Sequence, residues 1–142
     1  GYANGYGIKP NYRSIIQLKN KYNENNFAEV VKITYNSNAI NLEKILKHFF
    51  ETHDPTQLNR QGNDIGTQYR SVIFCTNEDD IKRANDSKEK FQKVLSKNKY
   101  NGITTEISLI KNYFLAEEYH QQYLAKNPNG YCGLGGTGCT LD

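Results

Sequence analysis

Segments with the two-residue period of a strand alternate along this chain with segments that have the spacing of a helix. The runs rich in β-branched or alternating residues, which predict strands, are 27–35, 69–75 and 104–110. Predicted helices are 41–53, capped by Asn41, a long helix that begins after Asn77, and a short one at 115–126. This order predicts a mixed sheet with helices packed against it, in an α/β or α+β sandwich.

The composition is that of a globular protein and excludes several classes of function. The 142 residues suit a single domain, 1–142, and only 37% of them are hydrophobic. No apolar run is long enough to cross a membrane. The net charge of +3 comes without a basic stripe, so we expect neither nucleic acid nor a membrane as a partner.

The three cysteines favour redox chemistry over structural disulfides. Cys132 and Cys139 lie in a glycine-rich tail at 129–142, whereas Cys75 ends an apolar strand, where a free cysteine behaves as a small buried hydrophobe. The sequence begins at Gly1, within a glycine- and tyrosine-rich segment and without a methionine. We therefore expect further sequence upstream, in which any targeting segment would lie.

A long segment between the first predicted helix and the second predicted strand concentrates polar residues. Residues 54–68 show neither period and contain carboxylates, amides and Arg60. A loop of this length is usually functional, although a solvated surface loop is the other interpretation.

Four blocks of sequence follow one another along the chain in the same order as in a known family. They are GYANG (1–5), AEVVKITY (28–35), HDPTQLNRQGNDIGTQYRS (53–71) and AEEYHQQYLAKNPNGYCGLGGTG (116–138). Together they resemble the peptide methionine sulfoxide reductases of the A type. The resemblance implies an α+β, ferredoxin-like two-layer sandwich that reduces the S epimer of methionine sulfoxide, a repair of oxidised methionine.

The resemblance also implies an acid and a polar pocket. Glu29 matches the family's acid, which hydrogen-bonds or protonates the sulfoxide oxygen, and Asp64, Tyr69 and Tyr12 match polar residues of the pocket. The chemistry is reasonable, since the sulfoxide oxygen leaves poorly unless it is protonated, and burial can raise the pKa of a glutamate. Without the family match, Glu29 would be interpreted as a solvent-facing strand residue.

In this family one thiolate attacks the sulfoxide sulfur and a second thiol resolves the resulting sulfenic acid. Cys132 matches the resolving cysteine, and Cys139 is either a second recycling thiol or an incidental cysteine near the terminus. The family's nucleophile lies in a Gly-Cys-Phe-Trp block that the 142 residues do not contain. We expect that block upstream, and we expect the 142 residues alone to be inactive.

The remaining expectations concern partners and alternatives. The resemblance implies thioredoxin as the reductant and no metal or organic cofactor, and we expect a cytoplasmic monomer. One alternative is a non-catalytic relative, or a truncated form, that binds oxidised methionine without turnover. Another is a redox switch in which Cys132 and Cys139 form a disulfide, because the glycines between them permit closure of the loop.

Overall fold

The computed structural model describes residues 1–17, 20–132 and 134–141 and divides the chain into two compact units. The helices are α1 (Tyr12–Ile15), α2 (Leu42–Thr52), α3 (Glu78–Lys97) and α4 (Tyr123–Lys126), with 3₁₀ turns at Thr67–Tyr69 and Glu118–His120. The strands are β1 (Tyr2–Ala3), β2 (Ala28–Glu29), β3 (Arg60–Gln61), β4 (Asp64–Ile65), β5 (Val72–Cys75), β6 (Glu106–Leu109) and β7 (Tyr113–Phe114). This mixture of helices with antiparallel and parallel pairs is an α+β fold. The finer prediction of a ferredoxin-like sandwich and that of a single domain remain predictions.

The first unit is built around short antiparallel strands. It consists of Gly1–Lys32, Asn59–Arg70 and Lys111–Gly133. The strand β1 lies between β2 and β7, with Tyr2 opposite both Glu29 and Phe114, and β3 pairs with β4 as a hairpin. Tyr2 and neighbouring apolar side chains form the core of this unit; its buried members are Tyr2, Ile15 and Phe27. Because Tyr2 of this core lies opposite Glu29 in the β1–β2 pair, the core positions Glu29.

The second unit packs two long helices with a parallel strand pair. It consists of Ile33–Leu58, Ser71–Ile110 and Leu134–Asp142, and β5 pairs with β6 in parallel register from Val72 and Glu106 onwards. The cap residues Asn41 and Asn77 each accept a hydrogen bond from the third residue of α2 and α3, at 2.9 and 2.8 Å. Both predicted helix starts are therefore confirmed.

The strand predicted at 27–35 is much shorter in the structure. β2 covers Ala28–Glu29, and the ladder continues only to Val30, whose N–H donates to the carbonyl of Gly1 at 2.9 Å. Beyond this pair no strand lies beside residues 31–35 among the described residues, and Val31 is 85% exposed. A β-branched sequence alone does not form a strand, because a strand needs a neighbour to satisfy its backbone groups.

Two other predictions need correction. The segment 54–68 is not structureless, since it contains β3, β4 and the start of the 3₁₀ turn Thr67–Tyr69. The helix predicted at 115–126 is broken into the turn Glu118–His120 and the single turn α4, with Gln122 between them at a φ of 51°. A residue in the left-handed conformation cannot continue a right-handed helix, so the predicted helix is interrupted at Gln122. Within the described ranges, no helix combines the length and the hydropathy that a membrane-spanning segment requires.

Candidate active site

The first unit brings together the acid and the three pocket residues that the sequence predicts. Tyr12 begins α1, Glu29 ends β2, Asp64 begins β4 and Tyr69 ends the 3₁₀ turn. Tyr12, Asp64 and Tyr69 line one cavity of about 350 Å³, together with Gln68. Glu29 does not line this cavity but lies close enough to influence the ionisation of Tyr69.

Glu29 is poised to be a proton donor near neutral pH. Burial, which disfavours the charged carboxylate, and secondly the nearby negative charge of Asp64 raise the pKa of Glu29 to about 7. A glutamate with this pKa is substantially protonated at neutral pH and can give up its proton during a reaction. The solvent-facing interpretation of Glu29 does not describe this side chain.

Tyr69 stays protonated and can donate a hydrogen bond. Burial, followed by the charges of Glu29 and nearby groups, raises the pKa of Tyr69 to about 12. Its phenol therefore presents an O–H group at any physiological pH. An acceptor oxygen placed beside Glu29 and Tyr69 would meet two donors.

The carboxylate of Glu117 holds Tyr12 in place. It accepts hydrogen bonds from the phenols of Tyr2 and Tyr119, at 3.1 and 3.2 Å, and from the backbone N–H of Tyr12 at 3.3 Å. His120 packs its ring against that of Tyr12, with centroids 4.7 Å apart. One acidic side chain therefore fixes the start of α1 and, with it, one wall of the cavity.

The 3₁₀ turn that carries Tyr69 is held by its own hydrogen-bond network. The Thr67 hydroxyl donates to the carbonyl of Asn20 at 2.8 Å, and the Asn26 amide donates to the Thr67 hydroxyl at 3.3 Å. The Arg70 guanidinium donates to the carbonyls of Asn26 and Thr67, both at 2.9 Å. These bonds tie the loop after α1 to the turn, so that the cavity wall at Tyr69 is fixed on both sides.

Cys132 is exposed and follows Tyr131, whose phenol contacts Asp64. Burial and the Asp64 carboxylate, which accepts a hydrogen bond from the phenol, raise the pKa of Tyr131. The turn before it is tight, because a Cβ on Gly130 would overlap the ring of Tyr123. The chain is thus anchored up to the residue before Cys132, while Gly133 lies outside the described residues.

The other two cysteines lie in the second unit. Cys139 is buried, 9% exposed, against Phe50, Phe91 and Leu95. Cys75 is also buried, and burial with the nearby Asp80 raises the pKa of its thiol. The interpretation of Cys75 as an unreactive core residue agrees with this environment.

Sequence reasoning missed Glu117 and Tyr131 as parts of this site, whereas Gln68 belongs to the polar segment 54–68 that the sequence indicates as functional. Glu117 and Tyr131 both lie inside the quoted block 116–138. That position was their only signal in the sequence, since a glutamate without tertiary contacts looks like any surface residue.

Comparison with known proteins decides the family. The model of the family described as peptide methionine sulfoxide reductase matches residues 1–137. The chain belongs to the peptide methionine sulfoxide reductase family, A type. It is 50% identical over 138 residues to the human "Mitochondrial peptide methionine sulfoxide reductase" and 50% identical over 141 residues to "Peptide methionine sulfoxide reductase MsrA" of Pseudomonas syringae.

A solved structure of the reductase family supports the same assignment. The methionine sulfoxide reductase A of Corynebacterium diphtheriae matches with a TM-score of 0.82 at 35% identity, covering 93% of this chain and 64% of that one. The matched segments are 97% of this chain but 57% of the human protein, and 99% of this chain but 63% of the Pseudomonas protein. The chain therefore spans about three fifths of the length of these curated relatives.

Proposed function

We propose that this chain forms the acid, the pocket and the resolving thiol of an enzyme that reduces methionine-S-sulfoxide, free or in proteins, to methionine. The observation that carries the proposal is the raised pKa of Glu29 beside Asp64 and Tyr69, in a member of this reductase family. A neutral carboxylic acid next to a phenolic donor suits an acceptor oxygen that must gain a proton before its bond to sulfur breaks.

The first step uses a thiolate from outside the 142 residues. That sulfur attacks the sulfoxide sulfur, Glu29 gives its proton to the sulfoxide oxygen, and Tyr69 and Tyr12 donate hydrogen bonds to the same oxygen. The oxygen ends on the attacking cysteine as a sulfenic acid, and methionine leaves with its sulfur reduced.

The second step uses Cys132. Its thiol condenses with the sulfenic acid, so that a disulfide forms and water leaves. The exposure of Cys132 and the contact of its neighbour Tyr131 with Asp64 support this role. Thioredoxin would then reduce the disulfide, either directly or after exchange with Cys139.

Several of our expectations stay predictions. They are thioredoxin as the reductant, the recycling role of Cys139, the monomeric state and the cytoplasmic location. The reductase named as mitochondrial among the relatives shows that the family is not confined to one compartment.

The proposal is tested with the complete gene product, a peptide that contains methionine sulfoxide, and dithiothreitol as reductant. We expect reduction of the S epimer, with the R epimer as the matched control. Binding of the S epimer without any turnover would contradict the proposal and favour the non-catalytic relative.

A further inference from the structure

The carboxylate of Glu117 is a point in the first unit at which three elements meet. The phenol of Tyr2, on β1, donates to its two oxygens at 3.1 and 3.3 Å, and the phenol of Tyr119 donates at 3.2 Å. The backbone N–H of Tyr12, at the start of α1, lies 3.3 Å from each oxygen. Burial opposes the charge, but these hydrogen bonds outweigh it and lower the pKa of Glu117. The side chain is therefore charged at neutral pH and accepts from every donor around it.

The N–H of Tyr12 depends on an acceptor from outside its own helix. The first N–H groups of a helix have no partner within the helix, and Tyr12 is the first residue of α1. The side chain of the cap residue Asn11 accepts from the N–H of Ser14 instead, at 2.8 Å. Glu117 is the acceptor for Tyr12, so its removal would leave a backbone donor unpaired at the start of α1.

Glu117 connects the core of the first unit to the cavity. Tyr2 is 2% exposed and belongs to that core, so the carboxylate is held by a fixed partner. The side chain of Tyr12 lines the cavity together with Tyr69, and the ring of His120 packs against it. Glu117 is not among the described residues that line the cavity, so any effect on the reaction passes through a neighbour.

We propose that Glu117 is a positioning residue for the reduction of methionine sulfoxide and that it acts through Tyr12. Its carboxylate holds the first residue of α1 next to β1, which keeps the Tyr12 phenol at the cavity wall, ready to donate to the sulfoxide oxygen. This inference rests on the proposed function and assigns the placement of one of its donors to a residue that does not touch the substrate. A donor that is already in place stabilises the transition state better than one that must first reorient.

The experiment compares variants of the complete gene product, with a methionine-S-sulfoxide peptide as substrate and dithiothreitol as reductant. Glu117→Gln keeps the shape but replaces one acceptor oxygen with a donor, and Glu117→Asp keeps the charge on a shorter side chain. Glu118→Gln is the matched control, since the side chain of Glu118 is 91% exposed. Tyr12→Phe, alone and combined with Glu117→Gln, removes the phenol hydroxyl. We measure kcat and KM, and we follow the Tyr12 ring by NMR with isotopically labelled tyrosine.

We expect Glu117→Gln to lower kcat roughly tenfold with little change in KM, because the weakened contact is one made in the transition state. Glu118→Gln should change neither constant, and Glu117→Asp should restore part of kcat. In the Tyr12→Phe background, Glu117→Gln should lower kcat by less than about twofold, since the group on which it acts is already absent. Equal losses of kcat in the two backgrounds, or a change in KM alone, overturn the inference.

The NMR signal distinguishes a failure of this inference from a failure of the proposed function. A shift of the Tyr12 ring signal in Glu117→Gln but not in Glu118→Gln supports the positioning role even if the wild type does not reduce the peptide. That result would contradict only the reductase activity. A Tyr12 signal that does not move in an enzyme that turns over overturns the positioning role and leaves the proposed function intact.

Discussion

At the scale of single residues, Glu29 links the chemistry to the pH of the solution. Because its pKa is raised to about 7 and the proposed step needs the protonated acid, turnover should fall as the pH rises through about 7. Glu29→Gln should lower kcat roughly 100-fold or more, whereas Glu24→Gln, an exposed loop glutamate, should leave kcat unchanged. Profiles of kcat against pH for the complete gene product test this. A profile that is unchanged in Glu29→Gln would rule out the role of Glu29 as the acid.

The raised pKa of Glu29 also predicts how the free energy of unfolding depends on pH. The folded chain holds the Glu29 proton up to about pH 7, whereas an ordinary glutamate releases it near 4.5. The folded state therefore binds more protons than the unfolded state in this interval, and the free energy of unfolding falls as the pH rises from 4.5 to 7. The shift corresponds to about 3 kcal/mol, and Glu29→Gln should abolish most of this slope in urea denaturation.

At this scale the sequence predicts residues that match a motif and misses those defined only by contacts. Glu29, Asp64 and Tyr69 could be named because they occur at matching positions in the quoted blocks. Glu117 could not, since its importance comes from hydrogen bonds across the first unit. The spacing of residues along the sequence does not predict hydrogen bonds between residues that are distant in sequence.

At the scale of elements, a buried histidine joins α2 to the parallel strand pair. His53 lies within 2.5 Å of the carbonyl of Phe49 through Nδ1 and within 2.8 Å of the Ser71 hydroxyl through Nε2. Because a carbonyl only accepts, Nδ1 carries the hydrogen. In the neutral ring Nε2 then accepts from the Ser71 hydroxyl, whose oxygen accepts from the Thr105 hydroxyl at 2.7 Å. These directions are those of the neutral imidazole, which burial favours by lowering the pKa of His53.

Acid should therefore weaken the second unit through His53. Burial lowers the pKa of His53 below its ordinary 6.5, so the unfolded state takes up a proton first as the pH falls below that value. The free energy of unfolding should fall below pH 6.5, by at most about 1.4 kcal/mol per pH unit. His53→Gln should reduce this slope, whereas His48→Gln, on the exposed side of α2, should keep it.

The tail is an element whose packing controls access to Cys139. A Cβ on Gly136 would overlap the carbonyl of Glu51, whereas nothing lies within 4 Å of one on Gly135. Gly136→Ala should release the tail and raise the alkylation rate of Cys139 roughly tenfold, and Gly135→Ala should not. Peptide mass mapping after iodoacetamide treatment measures this, and equal rates in the two variants would contradict the docked tail.

The elements also show where sequence reasoning succeeds and fails. The helices α2 and α3 were predicted with their caps, because amphipathic spacing and an asparagine cap are local signals. The strand at 27–35 was predicted too long and β7 was missed, since pairing with β1 decides both. Local propensity cannot report a partner that is distant in sequence.

At the scale of the whole molecule, the proposed reaction needs a nucleophilic thiolate in addition to Cys132. The described cysteines of the chain include one exposed thiol, Cys132, and two buried ones. We therefore predict that the 142 residues alone do not reduce methionine sulfoxide in a dithiothreitol assay, although they fold with the candidate pocket. Turnover by this chain that survives Cys75→Ser would contradict the assignment of the nucleophile to a segment outside it.

The most direct test of the central claim is a single turnover of the complete gene product without a reductant, followed by intact mass. One equivalent of a methionine-S-sulfoxide peptide should be reduced while the protein loses about 2 Da, with the new disulfide mapped to Cys132. In Cys132→Ser the protein should instead gain about 16 Da as a sulfenic acid. A wild-type mass that stays unchanged while the peptide is reduced, or a disulfide that forms without Cys132, would contradict the account.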